Sequence, residues 1–155
     1  MMIKINVVVD NVNWLKLIKN PKIYISRKTI KLNRRNKIFK EKIFYCTLLL
    51  SGSQKIKELN KKFRKKNKIT DILSFPFHSK KNLTTEIKKT KKIYLGDIII
   101  NLNRIKEKNS LKIFKNNFNK LWVHGLVHLF GYDHEKEKNF YAMQRVEKNF
   151  INYIE

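Results

Sequence analysis

The chain has few of the residues that crosslink or restrict a backbone. Its 155 residues include one cysteine, two prolines and four glycines. The single cysteine, Cys46, excludes an internal disulfide and fits a reducing compartment such as the cytoplasm. The chain has no run of eighteen apolar residues, which a membrane span would need. Its first ten residues lack the pattern of a signal peptide. We therefore expect one cytoplasmic domain over residues 1–155, large enough to form a hydrophobic core, and no membrane partner.

Acidic residues are also scarce. The chain has 12 aspartates and glutamates against 36 lysines and arginines, which gives a formal net charge of +24. A charge of this sign and size favours an anionic polymer as partner, most simply nucleic acid. Asparagine and isoleucine are abundant as well, as codon bias in an AT-rich genome would produce, so lysine can be frequent without selection for binding. The charge alone therefore leaves both nucleic-acid binding and a merely solvated surface open.

Three of the four histidines fall within eleven residues, with the spacing His-x3-His-x5-His. Residues four apart on a helix share a face, so His124 and His128 can bind one ion from the same side. Gly131 can adopt positive φ and end the helix, so that the chain returns His134 to the same point. Three imidazoles with an open fourth position are typical of a catalytic zinc site. Histidines that merely pack within a buried helix are the less favoured alternative, because each would still need a polar partner.

The spacing also matches the zinc-protease pattern His-Glu-x-x-His-x-x-Gly-x-x-His at every position but one. Gly125 stands where that pattern has glutamate, the general base. The ligands are thus present and the protease base is missing, which favours metal-assisted hydrolysis of a bond other than a peptide. A metalloprotease with its base supplied from elsewhere stays an alternative.

Hydrophobic patterning predicts four strands and five helices. The predicted strands are residues 2–9, 44–50, 71–76 and 95–100. The predicted helices are residues 11–19, 28–40, 54–65, 111–130 and 136–153. Ser53 is expected to cap the third helix, and residues 78–92 are expected to form a polar, lysine-rich loop.

The order of these elements predicts an α+β domain with a small mixed sheet of about four strands. The helix that carries the histidines is apolar on nearly every side, so we expect it to be central and buried, with the metal site on it. The last helix is expected to pack through one stripe, formed by Phe140, Met143, Val146, Phe150 and Ile154.

Three segments of the chain, in the same order, resemble the YbeY family of endoribonucleases. His124 to His134 looks like the family signature His-Gly-x-Leu-His-Leu-x-Gly-Tyr-Asp-His, with Val127 where leucine is usual. Asn60 to Arg64 followed by Thr70 to Pro76 is similar to the family's Asn-x-x-Tyr-Arg and Thr-Asp-Val-Leu-Ser-Phe-Pro segments. Leu95 to Ile98 is similar to its Leu-Gly-Asp-Ile strand. The resemblance covers roughly residues 44–150.

The resemblance implies a metal-dependent endoribonuclease specific for single-stranded RNA. Such an enzyme takes part in rRNA maturation, notably at the 16S rRNA 3′ end, and in ribosome quality control. The resemblance also implies about five helices around the sheet, a basic channel, and one zinc ion held by His124, His128 and His134. It places the family's arginine at Arg64. The implied partners are RNA and the ribosome or its small subunit.

Arg64 lies beside the apolar stripe of its helix, so its guanidinium can reach a cleft and offer two parallel donors to a phosphate oxygen. Asp71 and Asp133 could each orient a ligand or water, or simply cap a turn. The rings of Phe75, Phe77 and Tyr94 could stack on unpaired bases, although core packing is the default for Phe75. A further alternative is a non-catalytic rRNA- or ribosome-binding factor whose metal stabilises the fold.

Overall fold

A four-stranded mixed sheet forms the centre of the protein. The computed structural model describes residues 1–36, 41–133 and 137–155. The strands are β1 (Met2–Val9), β2 (Ile43–Ser51), β3 (Ile72–Pro76) and β4 (Lys92–Asn101). Their spatial order is β1-β2-β4-β3. The first three strands in that order run parallel, and β3 pairs antiparallel with β4 at one edge.

Six α-helices surround this sheet in the described part of the chain. They are α1 (Trp14–Leu17), α2 (Pro21–Arg35), α3 (Ser53–Arg64), α4 (Lys80–Lys89), α5 (Leu111–Leu129) and α6 (Glu137–Ile154). A short 3-10 turn, Leu102–Arg104, follows β4. The predicted α+β class and four-stranded mixed sheet are confirmed, with one helix more than the predicted five. Among the described residues, no helix is both long and apolar enough to cross a membrane.

The main core lies between one face of the sheet and the helices α2, α5 and α6, with α6 packed on α2 and α5. Helix α5 packs against β3 and β4, and α2 packs against β1. A smaller cluster on the opposite face joins Ile56 of α3 to Leu73 and Ile99. Because Ile98 and Ile100 enter the main core while Ile99 enters the smaller one, β4 is buried on both faces. Three consecutive isoleucines, as at positions 98–100, are typical of a strand that is buried on both faces.

The predicted loop at residues 78–92 is wrong, because most of it forms α4. Ser79 accepts a hydrogen bond from the backbone N–H of Asn82 at 3.2 Å and so caps the helix. One turn apart, Leu83 is buried and Ile87 is partly buried against the main core. The lysines occupy the solvated face, so the polar composition concealed an amphipathic helix.

Two helix starts also differ from the prediction. Helix α2 begins at Pro21, with Asn20 as its cap, instead of near residue 28. It ends at Arg35, and residues 37–40 of the predicted helix lie outside the described residues. The N-cap of α3 is Gly52, while Ser53 is the first helical residue. A Cβ at Gly52 would lie 2.8 Å from Asn11 Nδ2, which leaves little room for a capping side chain.

The packing stripe of α6 is shorter than predicted. Met143, Phe150 and Ile154 are buried and Val146 packs against them, but Phe140 is 41% exposed. The helix therefore enters the core only after its first turn.

Candidate functional site

Gly125 is the point at which helix α5 packs directly against side chains of the sheet. A Cβ at this position would be 2.7 Å from Cγ2 of Ile98 and 3.0 Å from Cδ1 of Ile72. Any larger residue would push the helix away from β3 and β4. The glycine that replaces the protease glutamate thus faces the sheet, and a glutamate there would collide with the core instead of reaching a substrate.

The helix ends where the sequence predicts. Gly131 has φ +83° and its N–H donates to the carbonyl oxygen of His128 at 2.9 Å. The N–H of Phe130 donates to the carbonyl oxygen of Leu126 at 3.2 Å. Glycine adopts this left-handed conformation without a steric penalty. The chain therefore reverses directly after α5, as a returning third ligand requires.

His124 and His128 point their Nε2 atoms at the same place. These two atoms are 3.0 Å apart. On the other side of each ring, Nδ1 of His124 lies 2.7 Å from Oε1 of Glu147, and Nδ1 of His128 lies 2.9 Å from the carbonyl oxygen of Tyr132. The contacts of the two Nδ1 atoms thus fix the orientation of both imidazoles.

These contacts determine which ring nitrogen carries the proton. A carbonyl oxygen only accepts, so Nδ1 of His128 must donate to Tyr132, and a carboxylate likewise accepts from Nδ1 of His124. The two Nε2 atoms then present lone pairs that converge at 3.0 Å, an arrangement that accommodates a proton or a metal cation. Histidines that bind metals commonly donate their other N–H to a carboxylate or backbone carbonyl in this way. The donor set therefore fits a metal such as zinc.

The third predicted ligand, His134, lies outside the described residues. Within residues 1–36, 41–133 and 137–155, no group of three or more histidine, cysteine, aspartate or glutamate side chains could hold an ion. The described part of the candidate centre is thus the pair His124 and His128, and the full three-histidine set stays a prediction.

A cleft of about 390 Å³ opens beside the histidine pair. It brings Arg64 together with His124 and His128, although Arg64 belongs to the last turn of α3. Its lining residues are Arg64, Thr70, Asp71, Ile72, Ser74, Pro76, His124, His128 and Asp133. The predicted arginine and the two described ligands therefore share one site.

The segment between α3 and β3 is held in place by two buried asparagines. Nδ2 of Asn60 donates to the carbonyl oxygen of Lys68 at 2.9 Å, and Nδ2 of Asn101 donates to that of Thr70 at 3.0 Å. Lys65, with φ 59°, ends α3 in the left-handed conformation. Arg64 thus sits at a fixed corner of the backbone while its side chain remains exposed.

The two aspartates of the cleft have different surroundings. Oδ1 of Asp71 accepts from its neighbours, the N–H of Ile72 at 2.9 Å and the hydroxyl of Thr70 at 3.1 Å. These local bonds favour the turn-capping interpretation of Asp71. Asp133 is exposed at the rim, where Oδ1 accepts from Nδ2 of Asn139 at 3.1 Å.

Sequence reasoning missed Glu147, the carboxylate behind His124. It lies on α6 and is about one-quarter exposed. A signal was present, because Glu147 falls four residues after Met143 and three before Phe150, on the buried stripe of that helix. A carboxylate on an apolar stripe needs a polar partner, and His124 supplies it.

The model of the family Endoribonuclease YbeY matches residues 13–155. The chain belongs to this family. An Endoribonuclease YbeY from Pelagibacter ubique is 39% identical over 155 residues, covering 99% of this chain and 97% of that protein. Another from Ehrlichia canis is 33% identical over 159 residues, covering 99% and 93%. Membership in the YbeY family confirms the resemblance stated from the motifs and the expectation of an endoribonuclease.

A solved structure agrees with the fold. The solution structure of TM1509 from Thermotoga maritima superposes with a TM-score of 0.55 at 24% identity. The match covers 97% of this chain and 89% of that one. At this level of identity the likeness shows the α+β fold alone.

Proposed function

We propose that this YbeY family member cleaves single-stranded RNA with the help of one zinc ion, and that it acts in rRNA maturation at the 16S rRNA 3′ end. The observation that carries the proposal is the pair of converging Nε2 atoms, 3.0 Å apart, in the same cleft as Arg64. The ribosome or its small subunit is then the expected partner, in the cytoplasm.

His124, His128 and His134 would hold the ion. A zinc ion in such a site polarises a phosphoryl oxygen and lowers the pKa of a bound water. Neutral imidazoles add no negative charge to oppose this effect. Glu147 and the Tyr132 carbonyl keep both described imidazoles in the tautomer that leaves Nε2 free of a proton.

Arg64 would bind the phosphate that is cleaved. Its planar guanidinium can offer two parallel N–H donors to non-bridging oxygens and so stabilise charge that develops in the transition state. The residues that line the cleft with it include Thr70 and Ser74. Asp133, which accepts a hydrogen bond from Asn139 at the rim, would orient a ligand or a water.

Lysines around Arg64 would guide the RNA backbone into the cleft. The exposed residues of this group are Lys61, Lys62, Lys65, Lys66 and Lys68. Backbone contacts of this kind release counterions, so RNA affinity should fall steeply as salt rises.

A cleavage assay on metal-characterised protein tests the proposal, with wild type compared with His128→Ala. His78→Ala is a matched control for the metal site, because His78 lies outside the cleft lining. We expect His128→Ala to stay folded by circular dichroism while losing both bound metal and cleavage, and His78→Ala to keep its bound metal and its kcat.

Two results would contradict the proposal. Equal cleavage by wild type and His128→Ala would assign the activity to a contaminant or to another site. Unfolding of His128→Ala and of His124→Ala, with RNA binding but no turnover by the wild type, would favour the non-catalytic factor with a structural metal.

A further inference from the structure

Half of one sheet face carries aromatic rings that remain accessible to solvent. On this side the small α3 cluster of Ile56, Leu73 and Ile99 covers one end of the sheet. Toward the other end, Tyr45 is 43% exposed and Phe77 is 68% exposed in the described part of the chain. We call this region the open sheet face; its side chains are Lys4, Asn6, Tyr45, Thr47, Phe75, Phe77, Tyr94 and Asp97.

The rings of this face form a continuous group. The centroids of Tyr45 and Tyr94 are 5.2 Å apart, and those of Phe77 and Tyr94 are 5.5 Å apart. Large apolar rings are costly to leave in water, and an exposed patch of them commonly marks a binding surface. The group is therefore a candidate for contact with flat ligand surfaces.

The backbone fixes the position of Phe77. Its N–H donates to the carbonyl oxygen of Leu95 at 2.8 Å. Gly96, with φ +131°, allows this approach, because a Cβ there would lie 2.1 Å from the Phe75 carbonyl oxygen. Because the backbone of Phe77 is already fixed, only its side-chain torsions would lose conformational entropy when a ligand binds.

The charges on the face suit an anionic strand. Lys4 lies opposite Tyr45 in the β1–β2 register, and both Lys4 and Lys92 are exposed. The one carboxylate of the open sheet face, Asp97, already accepts a hydrogen bond from the Tyr94 hydroxyl. Accessible rings flanked by cations are the usual means of binding single-stranded nucleic acid without sequence preference.

Strand β3 connects this face to the cleft. Ser74 and Pro76 line the cleft, whereas the alternate residue Phe75 lies on the opposite face of the sheet, where it packs against the small α3 cluster next to the open sheet face. Phe63, the neighbour of Arg64, lies edge-on to Phe75 with centroids 5.5 Å apart. Because β3 is an edge strand, a flexible strand can pass round it from the cleft to the rings.

We propose that the open sheet face binds single-stranded RNA, with bases stacked on Phe77 and Tyr45 next to the segment that occupies the cleft. The inference rests on the proposed function for its choice of ligand. It adds a substrate-binding surface that lies beyond the histidines and Arg64.

The test is binding of a fluorescent 12-nucleotide 2′-O-methyl uridine strand, which lacks a 2′-hydroxyl nucleophile, measured by anisotropy. We expect Phe77→Ala and Tyr45→Ala each to weaken binding roughly tenfold, as for other bases stacked on aromatic residues. Phe77→Tyr and Tyr45→Phe keep the rings and should bind as wild type does. Ile30→Ala is the matched control, since Ile30 is 47% exposed on α2, on the other side of the sheet.

Two further measurements locate the contact. On cleavable RNA, Phe77→Ala should raise KM and leave kcat nearly unchanged, because stacking acts equally on substrate and transition state. Ultraviolet crosslinking followed by mass spectrometry should attach uridine to peptides that contain Tyr45 or Phe77. Unchanged affinity in both alanine variants, or crosslinks confined to other peptides, overturns the inference and would leave a protein partner as the candidate for this face.

The inference and the proposed function can fail separately. If the wild type never cleaves RNA but the ring variants lose RNA binding, the open sheet face is supported and the proposed cleavage function is rejected. If the wild type cleaves RNA with a metal but the ring variants bind RNA as the wild type does, the cleavage function is supported and the open sheet face is rejected.

Discussion

Nδ1 of His124 and Oε1 of Glu147 lie 2.7 Å apart and join α5 to α6 beside the cleft. The carboxylate holds the imidazole in one orientation and one tautomer, with Nε2 directed toward His128. The contact links residues 23 positions apart in sequence, so it exists only in the folded chain.

Replacing Glu147 should weaken metal binding without unfolding the protein. Removal of such a supporting carboxylate typically costs about 10- to 100-fold in metal affinity. We expect Glu147→Ala to lower metal affinity by an amount within this range. Glu147→Gln keeps an acceptor oxygen, so its loss of metal affinity should be smaller. Competition with a zinc chelator measures the affinity, and Gln144→Ala on the same helix is the control. Zinc affinity equal to that of wild type in Glu147→Ala would remove Glu147 from the site.

Arg64 should be needed for cleavage and dispensable for folding. It is exposed at the end of α3, so Arg64→Ala should leave the thermal midpoint and the bound metal unchanged. Loss of a donor to transition-state charge costs roughly 100-fold or more in kcat. Arg64→Lys keeps the charge but not the two parallel donors, so it should recover only part of the rate.

The neighbouring Lys61 provides a matched control for Arg64. Lys61→Ala should weaken RNA binding slightly and mainly at low salt, because it removes one exposed charge. If Arg64→Ala had no more effect on kcat than Lys61→Ala, Arg64 would be only part of the cationic surface.

Gly125→Ala should destabilise the protein although alanine favours helix. The gain in helix propensity is about 1 kcal/mol, and overpacking a dense core costs about 1–3 kcal/mol. Because Cγ2 of Ile98 would lie only 2.7 Å from the new methyl group, we expect the cost of overpacking to exceed the gain in helix propensity. Urea denaturation gives the change in unfolding free energy.

A double mutant isolates the cause. Ile98→Ala removes the methyl that a Cβ at Gly125 would strike, so Gly125→Ala should cost less in that background than in wild type. Additive effects of the two substitutions would show that the helix already has room at Gly125.

Much of this architecture could be predicted from the sequence, because its signals are local. Alternating and continuous apolar runs gave the four strands, and the spacing of His124, His128 and Gly131 gave the helix that ends at the site. Helix α4 was not predicted because lysines and other polar residues dominate its sequence, and its core-facing apolar pattern consists only of Leu83 and Ile87. The pairing of Glu147 with His124 could not be predicted, because no local sequence pattern indicates which helix packs against α6.

Cys46 should be inert in the folded protein. It is 1% exposed, and burial, with a smaller effect of the Asp97 charge, raises the pKa of its thiol to about 12 from an ordinary 9.0. The thiolate is the reactive form. Ellman's reagent at pH 8 should therefore modify no thiol in native protein and one per chain in urea. Rapid modification of the native protein would contradict the buried position.

The same shift in the pKa of Cys46 affects stability at high pH. Because folding favours the neutral thiol, its contribution is complete below about pH 9 and is lost as the pH rises toward about 12. The unfolding free energy of wild type should fall more over this range than that of Cys46→Ala. Lysines and tyrosines titrate in both proteins, so the difference between the two curves isolates Cys46.

The sheet order has a consequence for the time at which the site forms. Strand β2, one of the two inner strands, pairs with β1 about 40 residues earlier and with β4 about 50 residues later. Such distant pairings make folding slow, because loop-closure entropy is lost before the strands make contact. His124 and His128 are neighbours on one helix and can meet before the sheet is assembled, whereas Arg64 and Glu147 reach them only through the assembled sheet and α6. The cleft is therefore complete only once the distant strands have paired, and a partly folded chain would carry the imidazole of His124 without Glu147.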